Sequence, residues 1–281
     1  MKSPQDFHSL VAVIESLQYA AGMERQAVTR RGQKPPIGEP VVDRAFALLG
    51  AFNQTRHSLS LTELSQLTNQ PVSTALRLAT KLLEQGALER RDDGRFIIGL
   101  RMWEIGALAP RGMGLRQFAL PRMTDLVEAT HENVLLVVPD GNHGLVIERL
   151  AGSNAVTMEF AVRGYMPLHL TSSGLVLLAH ADAALREEVL GGPLPMRPMT
   201  DRGSPTELRS RMANIRRDGF CVLRSNKMPV SSVAAPIWNS RQQVVAAISV
   251  VAHKEGFEPA ALVPLVRNAA RDISIDLQAH G

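Results

Sequence analysis

Two short runs hold side chains whose types and spacing suit contact with a partner. The first is Ser73, Thr74, Arg77 and Lys81, which share one side of the stretch from Pro71 to Gln85. Ser73 and Thr74 are short enough for the backbone to approach a phosphate or a base edge. Arg77, one turn on, can address guanine O6 and N7 with two parallel hydrogen bonds, a contact of about 1–3 kcal/mol in discrimination. Lys81 is better suited to a phosphate, and Arg90, Arg91 and Arg95 follow on a hairpin that would track the backbone or enter the minor groove. The second run is Thr171, Ser172, Ser173 and Gly174. It opens a helix, where unpaired N–H groups and the helix dipole favour an anion. The same hydroxyls would equally serve as a plain helix cap.

Catalytic chemistry finds no comparable arrangement. His131, His143, His169, His180 and His253 are scattered without the spacing of metal ligands, and no Gly-rich phosphate loop follows a strand. Cys221, the only cysteine, has no activating neighbour. A single cysteine excludes an intrachain disulfide and a Cys-rich zinc site. The expectation is a protein without catalytic residues, metal or cofactor. A hydrophobic share of 45% and a charged share of 21% describe a globular chain with material for two cores. The net charge of +4 permits a nucleic-acid partner without requiring one. The N-terminus has no secretory signature and no apolar run reaches bilayer length, so the expected location is the cytoplasm, with no membrane partner.

The elements around these runs give them a context. Residues 1–39 form an extension, with Phe7, Leu10, Val11, Ile14 and Leu17 at helical spacing and a basic Pro/Gly-rich tract behind them. This extension reads as a docking helix with a flexible linker, or as a basic arm touching phosphates. From Val42 to Phe52 the pattern is helical. Thr62 offers a cap to a short helix, the chain turns at Asn69 and Gln70, and Pro71 opens the next helix as a first-turn residue. In that helix Val72, Ala75, Leu76, Ala79, Leu82 and Leu83 are expected to pack inward, and Gly86 to end it. A hairpin turning at Asp92-Asp93-Gly94 completes a winged helix-turn-helix over residues 40–99, and residues 100–114 read as a linker helix. Residues 115–281 then run helix, hairpin, a strand at Val156–Val162, two helices at Ser172–Ala184 and Pro205–Arg217, three strands and a terminal helix. That is an α+β domain with a mostly antiparallel sheet.

These segments resemble bacterial transcriptional regulators of the IclR family. The resemblance rests on the Leu61–Gly99 block, VIERLAGSNAV (Val146–Val156), RGYMPLHLTSSGLVLLA (Arg163–Ala179) and SVAAPIWNSRQQVVAAISV (Ser232–Val250), in the family's order. It spans residues 40–278. It implies a winged helix joined by a linker helix to a GAF-like effector domain. It further implies a homodimer or dimer of dimers, double-stranded operator DNA as partner, and repression or activation of catabolic genes by a small carboxylate effector. Thr171–Gly174 would hold that carboxylate, with Ser232 and Ser249 at positions that face the same pocket.

The chain departs from the family pattern at Val222-Leu223-Arg224, where many relatives carry an acidic run that supplies a pocket carboxylate. The expectation is a larger, more apolar pocket for an aromatic or hydroxylated aromatic acid, with Arg224 either its counter-charge or part of a surface ion pair. A reading from another class is a sensory small-molecule module whose helix-turn-helix docks protein instead of DNA.

Overall fold

The computed structural model describes residues 40–53, 56–108, 113–156, 164–192, 204–224 and 229–280. The N-terminal extension and most of the strand expected at Val156–Val162 lie outside them. The chain divides into two compact units, residues 27–109 and a second unit that contains 110–281.

In the first unit, helices α1 (Val41–Gly50), α2 (Leu61–Leu67) and α3 (Val72–Glu84) precede a hairpin, β1 (Leu88–Arg90) and β2 (Phe96–Ile98), and helix α4 (Leu100–Ala107). Leu48, Leu64, Ala75, Leu78, Ala79, Leu88 and Phe96 form its core. The cap of α2 is Ser60, not Thr62. The Ser60 hydroxyl accepts from Glu63 N–H at 3.2 Å, and Glu63 Oε2 accepts from Ser60 N–H at 2.7 Å. That reciprocal box satisfies two orphan donors of the first turn, which a cap at Thr62 could not do. Pro71 is the residue that precedes α3. Past the end of α3, Gly86 adopts φ +69°, and the N–H groups of Gly86 and Ala87 close on Leu83 and Leu82 carbonyls at 2.9 Å each. A left-handed residue is needed there, and glycine adopts it without steric cost.

The second unit is built on a six-stranded sheet, wholly antiparallel, in the order β5-β4-β3-β8-β7-β6. The strands are β3 (Asn133–Asp140), β4 (His143–Ala151), β5 (Tyr165–Pro167), β6 (Cys221–Arg224), β7 (Val230–Trp238) and β8 (Val244–His253). Helices α5 (Met113–Thr130) and α9 (Pro259–His280) cover one face; α6 (Ser172–His180), α7 (Ala183–Gly191) and α8 (Pro205–Asp218) cover the other. Alternation along the strands supplies both cores. Leu135, Val137, Ala234, Ala247 and Val251 pack against α6, while Val134, Leu136, Val233, Ile248 and Val250 pack against α5 and α9. With both faces covered, the central strands read as unbroken apolar runs.

Two details depart from simple expectation. The single helix expected at Ser172–Ala184 is two, because Asp182 accepts from Leu185 N–H at 2.8 Å and so starts α7. Strand β6 covers β7 only as far as Ala234. Beyond it, Pro236 has no N–H to offer, and Trp238 N–H donates to Ser274 Oγ of α9 at 2.9 Å.

Candidate functional site

The first unit presents α3 and the hairpin as one surface. Ser73, Arg77 and Lys81 are exposed and Thr74 is half-buried. Arg77 makes no ion pair or side-chain hydrogen bond among the described residues, while Lys81 is held by Glu84 at 2.7 Å in an exposed pair. The α3 N-terminus has no side-chain cap and no acidic residue in its first turn, so its N–H groups and dipole face outward uncompensated. Val72 and Leu76, expected inward, are 51% and 48% exposed; the buried face is Ala75, Leu78 and Ala79. The helix is rotated so that Leu78 meets α1 and the hairpin, and Val72 and Leu76 turn outward beside Ser73.

Arg91 is exposed on the hairpin, as a phosphate contact requires. Arg95 has a different task. Its guanidinium donates through Nε to Ser58 Oγ at 3.0 Å and through Nη2 to Ser58 O at 2.9 Å and Glu63 Oε2 at 2.7 Å. This clamp ties the hairpin to the start of α2 and engages the guanidinium that was expected to contact DNA. Glu63 is held below the ordinary carboxylate range, first by the Ser60 N–H, then by the Ser60 hydroxyl and Arg95. Arg90 is also occupied, donating to Gly94 O at 3.2 Å and lying 5.8 Å from the Phe96 ring centre.

In the second unit, Thr171 caps α6: its Oγ1 accepts from Gly174 N–H at 3.0 Å and donates to Met166 Sδ at 3.3 Å. The Ser172 and Ser173 N–H groups have no acceptor among the described residues. The cap on this turn therefore leaves two N–H groups without an acceptor among the described residues. Ser173 Oγ donates to Ser249 Oγ at 2.8 Å, joining α6 to β8 deep inside the unit. Ser232, also buried, lies two residues before Ala234, which faces α6, so alternation puts Ser232 on the same side. Gly174 is also required by packing, since a Cβ there would stand 2.4 Å from Leu168 O.

Arg224 does not reach this face. Along β6, Cys221 and Leu223 point toward α6, whereas Val222 and Arg224 point to the opposite side. The Arg224 guanidinium sits 5.7 Å from the centre of the Phe257 ring, within the α5/α9 layer. The cation that does share the α6 face is Arg149. Strict alternation from Val146 would have sent Glu148 toward α6 and Arg149 away. A bulge between Leu136 and Val137 shifts the register, pairing Leu136 with Glu148 and Leu135 with Arg149. Glu148 consequently pairs with Arg116 of α5, while Arg149 Nε donates to buried Asn133 Oδ1 at 3.1 Å. Burial depresses the Arg149 pKa, which marks a cation partly withdrawn from water.

The Cys221 thiol is pushed up to about 12 by burial, so it is protonated at neutral pH. An open groove of about 720 Å³ lies elsewhere, between α9, the end of α6 and Trp238. No helix is long and apolar enough to cross a membrane among the described residues.

Comparison with known proteins bears on both surfaces. Residues 41–92 match the IclR helix-turn-helix domain, and residues 108–275 match the bacterial transcriptional regulator IclR C-terminal domain. The chain belongs to the IclR family. This regulator is 29% identical over 212 residues to the HTH-type transcriptional regulator XynR of Escherichia coli strain K12, covering 74% of this chain and 84% of that one. It is 28% identical over 242 residues to the HTH-type transcriptional regulator KipR of Bacillus subtilis strain 168, covering 83% and 95%. Among solved structures it resembles an IclR homologue from Microbacterium hydrocarbonoxydans complexed with 4-hydroxybenzoate. The TM-score there is 0.78 at 36% identity, over 85% of this chain and 100% of that chain. The regulator thus has the expected α+β architecture, a helix-turn-helix followed by an antiparallel effector domain, and is a ligand-responsive transcriptional regulator.

Proposed function

We propose that this regulator controls a catabolic operon by binding operator DNA through α3 and the hairpin, under the control of an aromatic carboxylate. In this reading residues 40–99 recognise DNA, residues 100–114 link, and residues 115–281 bind the effector. Ser73, Thr74 and Arg77 address base edges or nearby phosphates, and Lys81 and Arg91 hold the backbone. The effector carboxylate sits at the first turn of α6, near the Ser173, Ser249 and Ser232 hydroxyls, with Arg149 as the cation on that face.

One observation carries the effector half: two N–H groups without acceptors among the described residues, at the start of α6, share a face with a partly buried arginine. Both features favour an anion, and the apolar remainder of the face suits a ring. Support also comes from the 4-hydroxybenzoate bound by the Microbacterium relative. The regulator is proposed to act by binding alone, without catalysis, as its named relatives are regulators.

A homo-oligomer is part of the proposal. Within the first unit Val42, Phe46, Leu100, Trp103 and Leu108 are 62–81% exposed on α1 and on or just past α4. So many large apolar side chains on these two segments call for a second copy of the chain. The effector would then bias the relative orientation of two winged helices across the dimer, changing their fit to operator half-sites.

Calorimetric titration with 4-hydroxybenzoate, benzoate, pyruvate and glyoxylate tests the effector class, and gel shift with the bound acid tests the coupling. Binding of the aromatic acids with altered operator affinity is expected. Binding confined to the short acids would remove the aromatic assignment.

A further inference from the structure

The recognition surface contains two side chains that hydrogen-bond chemistry does not use. Val72 and Leu76 are 51% and 48% exposed, one turn apart on α3, and Ser73 and Arg77 flank them. The core of the unit takes Ala75, Leu78 and Ala79 instead. Resting on the DNA-binding role proposed above, we infer that Leu76 and Val72 read thymine C5-methyl groups in the operator.

Three considerations lead there. A recognition helix presents the exposed side chains of its N-terminal turns to base edges in the major groove. Val72 and Leu76 fall in those turns and on the face that carries Ser73 and Arg77. The apolar group that B-DNA offers in that groove is the thymine methyl, the natural partner of an aliphatic side chain. The surroundings also favour DNA over a protein partner. The first turn of α3 has no acidic residue, its N–H groups have no side-chain cap, and Arg77 has no ion pair among the described residues. An apolar pair set among uncompensated positive groups is complementary to a polyanion that bears methyls.

Geometry limits where the methyls lie. One helical turn advances about 5.4 Å, and base pairs repeat at about 3.4 Å. The two contacts therefore fall within two or three adjacent base pairs of each half-site. Each methyl is worth about one buried methylene, which corresponds to about a fourfold change in affinity.

The test uses the full chain. Operator duplexes are selected from a random library by the wild-type protein, and each thymine is then replaced by deoxyuridine, which removes the methyl and keeps the pairing. Wild-type binding should weaken about fourfold at one or two clustered positions per half-site. Leu76→Ala should abolish the thymine/deoxyuridine ratio at one position and Val72→Ala at the other, with melting temperatures unchanged because both side chains are exposed. A merely structural role would weaken binding to both duplexes equally and leave the ratio intact, which overturns the inference. Operators without thymine in the half-sites, or insensitive to every replacement, also overturn it while leaving DNA recognition standing. Failure to enrich any sequence would overturn DNA recognition itself, and this inference with it.

Discussion

Ser173 and Ser249 offer the sharpest test of the effector cleft, because the fold and the function ask different things of them. Both are almost wholly buried, at 3% and 1% exposure, and they share one hydrogen bond of 2.8 Å. Replacing Ser249 with Ala removes an acceptor and leaves the Ser173 hydroxyl stranded, at a cost of about 1–3 kcal/mol. For a domain of this size each kcal/mol lowers the melting temperature by about 2–4 °C, so a loss of about 2–12 °C is expected. Ser173→Ala should cost a similar amount. The double variant places two methyl groups face to face and strands nothing, so it should cost about 1–2 kcal/mol less than the sum of the two singles. Aromatic acid affinity should behave otherwise: the double variant should lose about tenfold, the worth of one hydrogen bond to a charged group. Scanning calorimetry of the full chain, following the effector-domain transition, gives the first quantity and titration calorimetry the second. Strictly additive destabilisation would refute the buried hydrogen bond, and full acid affinity in the double variant would refute its place in the ligand site.

Other consequences are open to direct measurement. Arg91→Gln should reduce the salt slope of operator binding by about 0.9, one phosphate contact; Arg95→Met should instead leave the slope unchanged and weaken binding by loosening the wing, visible as faster amide exchange in β1 and β2. Trp103→Ala combined with Phe46→Ser should shift the chain toward monomer in light scattering, since it removes two of the most exposed apolar side chains of the first unit. His180 is held below its ordinary pKa, first by burial and then by the Arg216 charge, and its Nδ1 contacts Val176 O at 2.9 Å. A depressed pKa means that its stabilising contribution is whole above the unfolded value of about 6.5 and is lost as pH falls below it. The melting temperature should therefore drop from pH 7 to pH 5 in the wild type and drop less in His180→Gln.

The winged helix-turn-helix was legible because its signals are local: Gly86 after an amphipathic stretch, a turn with Gly94, basic residues along the hairpin. Within it, the Ser60–Glu63 box was also written in the sequence as Ser-x-x-Glu, and outranks Thr62 because it satisfies two donors at once. Which arc of α3 faces inward was less legible. Three-four spacing admits two neighbouring arcs, and the choice between Leu76 and Leu78 depends on what α1 and the hairpin present to it. The cation proposed as counter-charge was hidden for a different reason. Strand alternation exchanged Arg224 for Arg149, and the exchange depends on a bulge that no local composition announces. Strand β5 is three residues long, too short for any period to register.

The edges of the large sheet bear on how copies of the regulator can meet. Its outer strands, β5 and β6, have three and four residues, and the stretch of β7 left bare by β6 contains a proline and ends on an N–H already taken by Ser274. Unpaired ladder groups are what allow one sheet to template another, and at the β7 edge few are on offer among the described residues. That edge of the effector domain is thus guarded against edge-to-edge aggregation, the usual hazard of an open sheet. In the homo-oligomer proposed above, assembly at that edge would fall to helical surfaces, whose contacts can slide and reorient when an effector arrives, as a continuous hydrogen-bonded ladder could not.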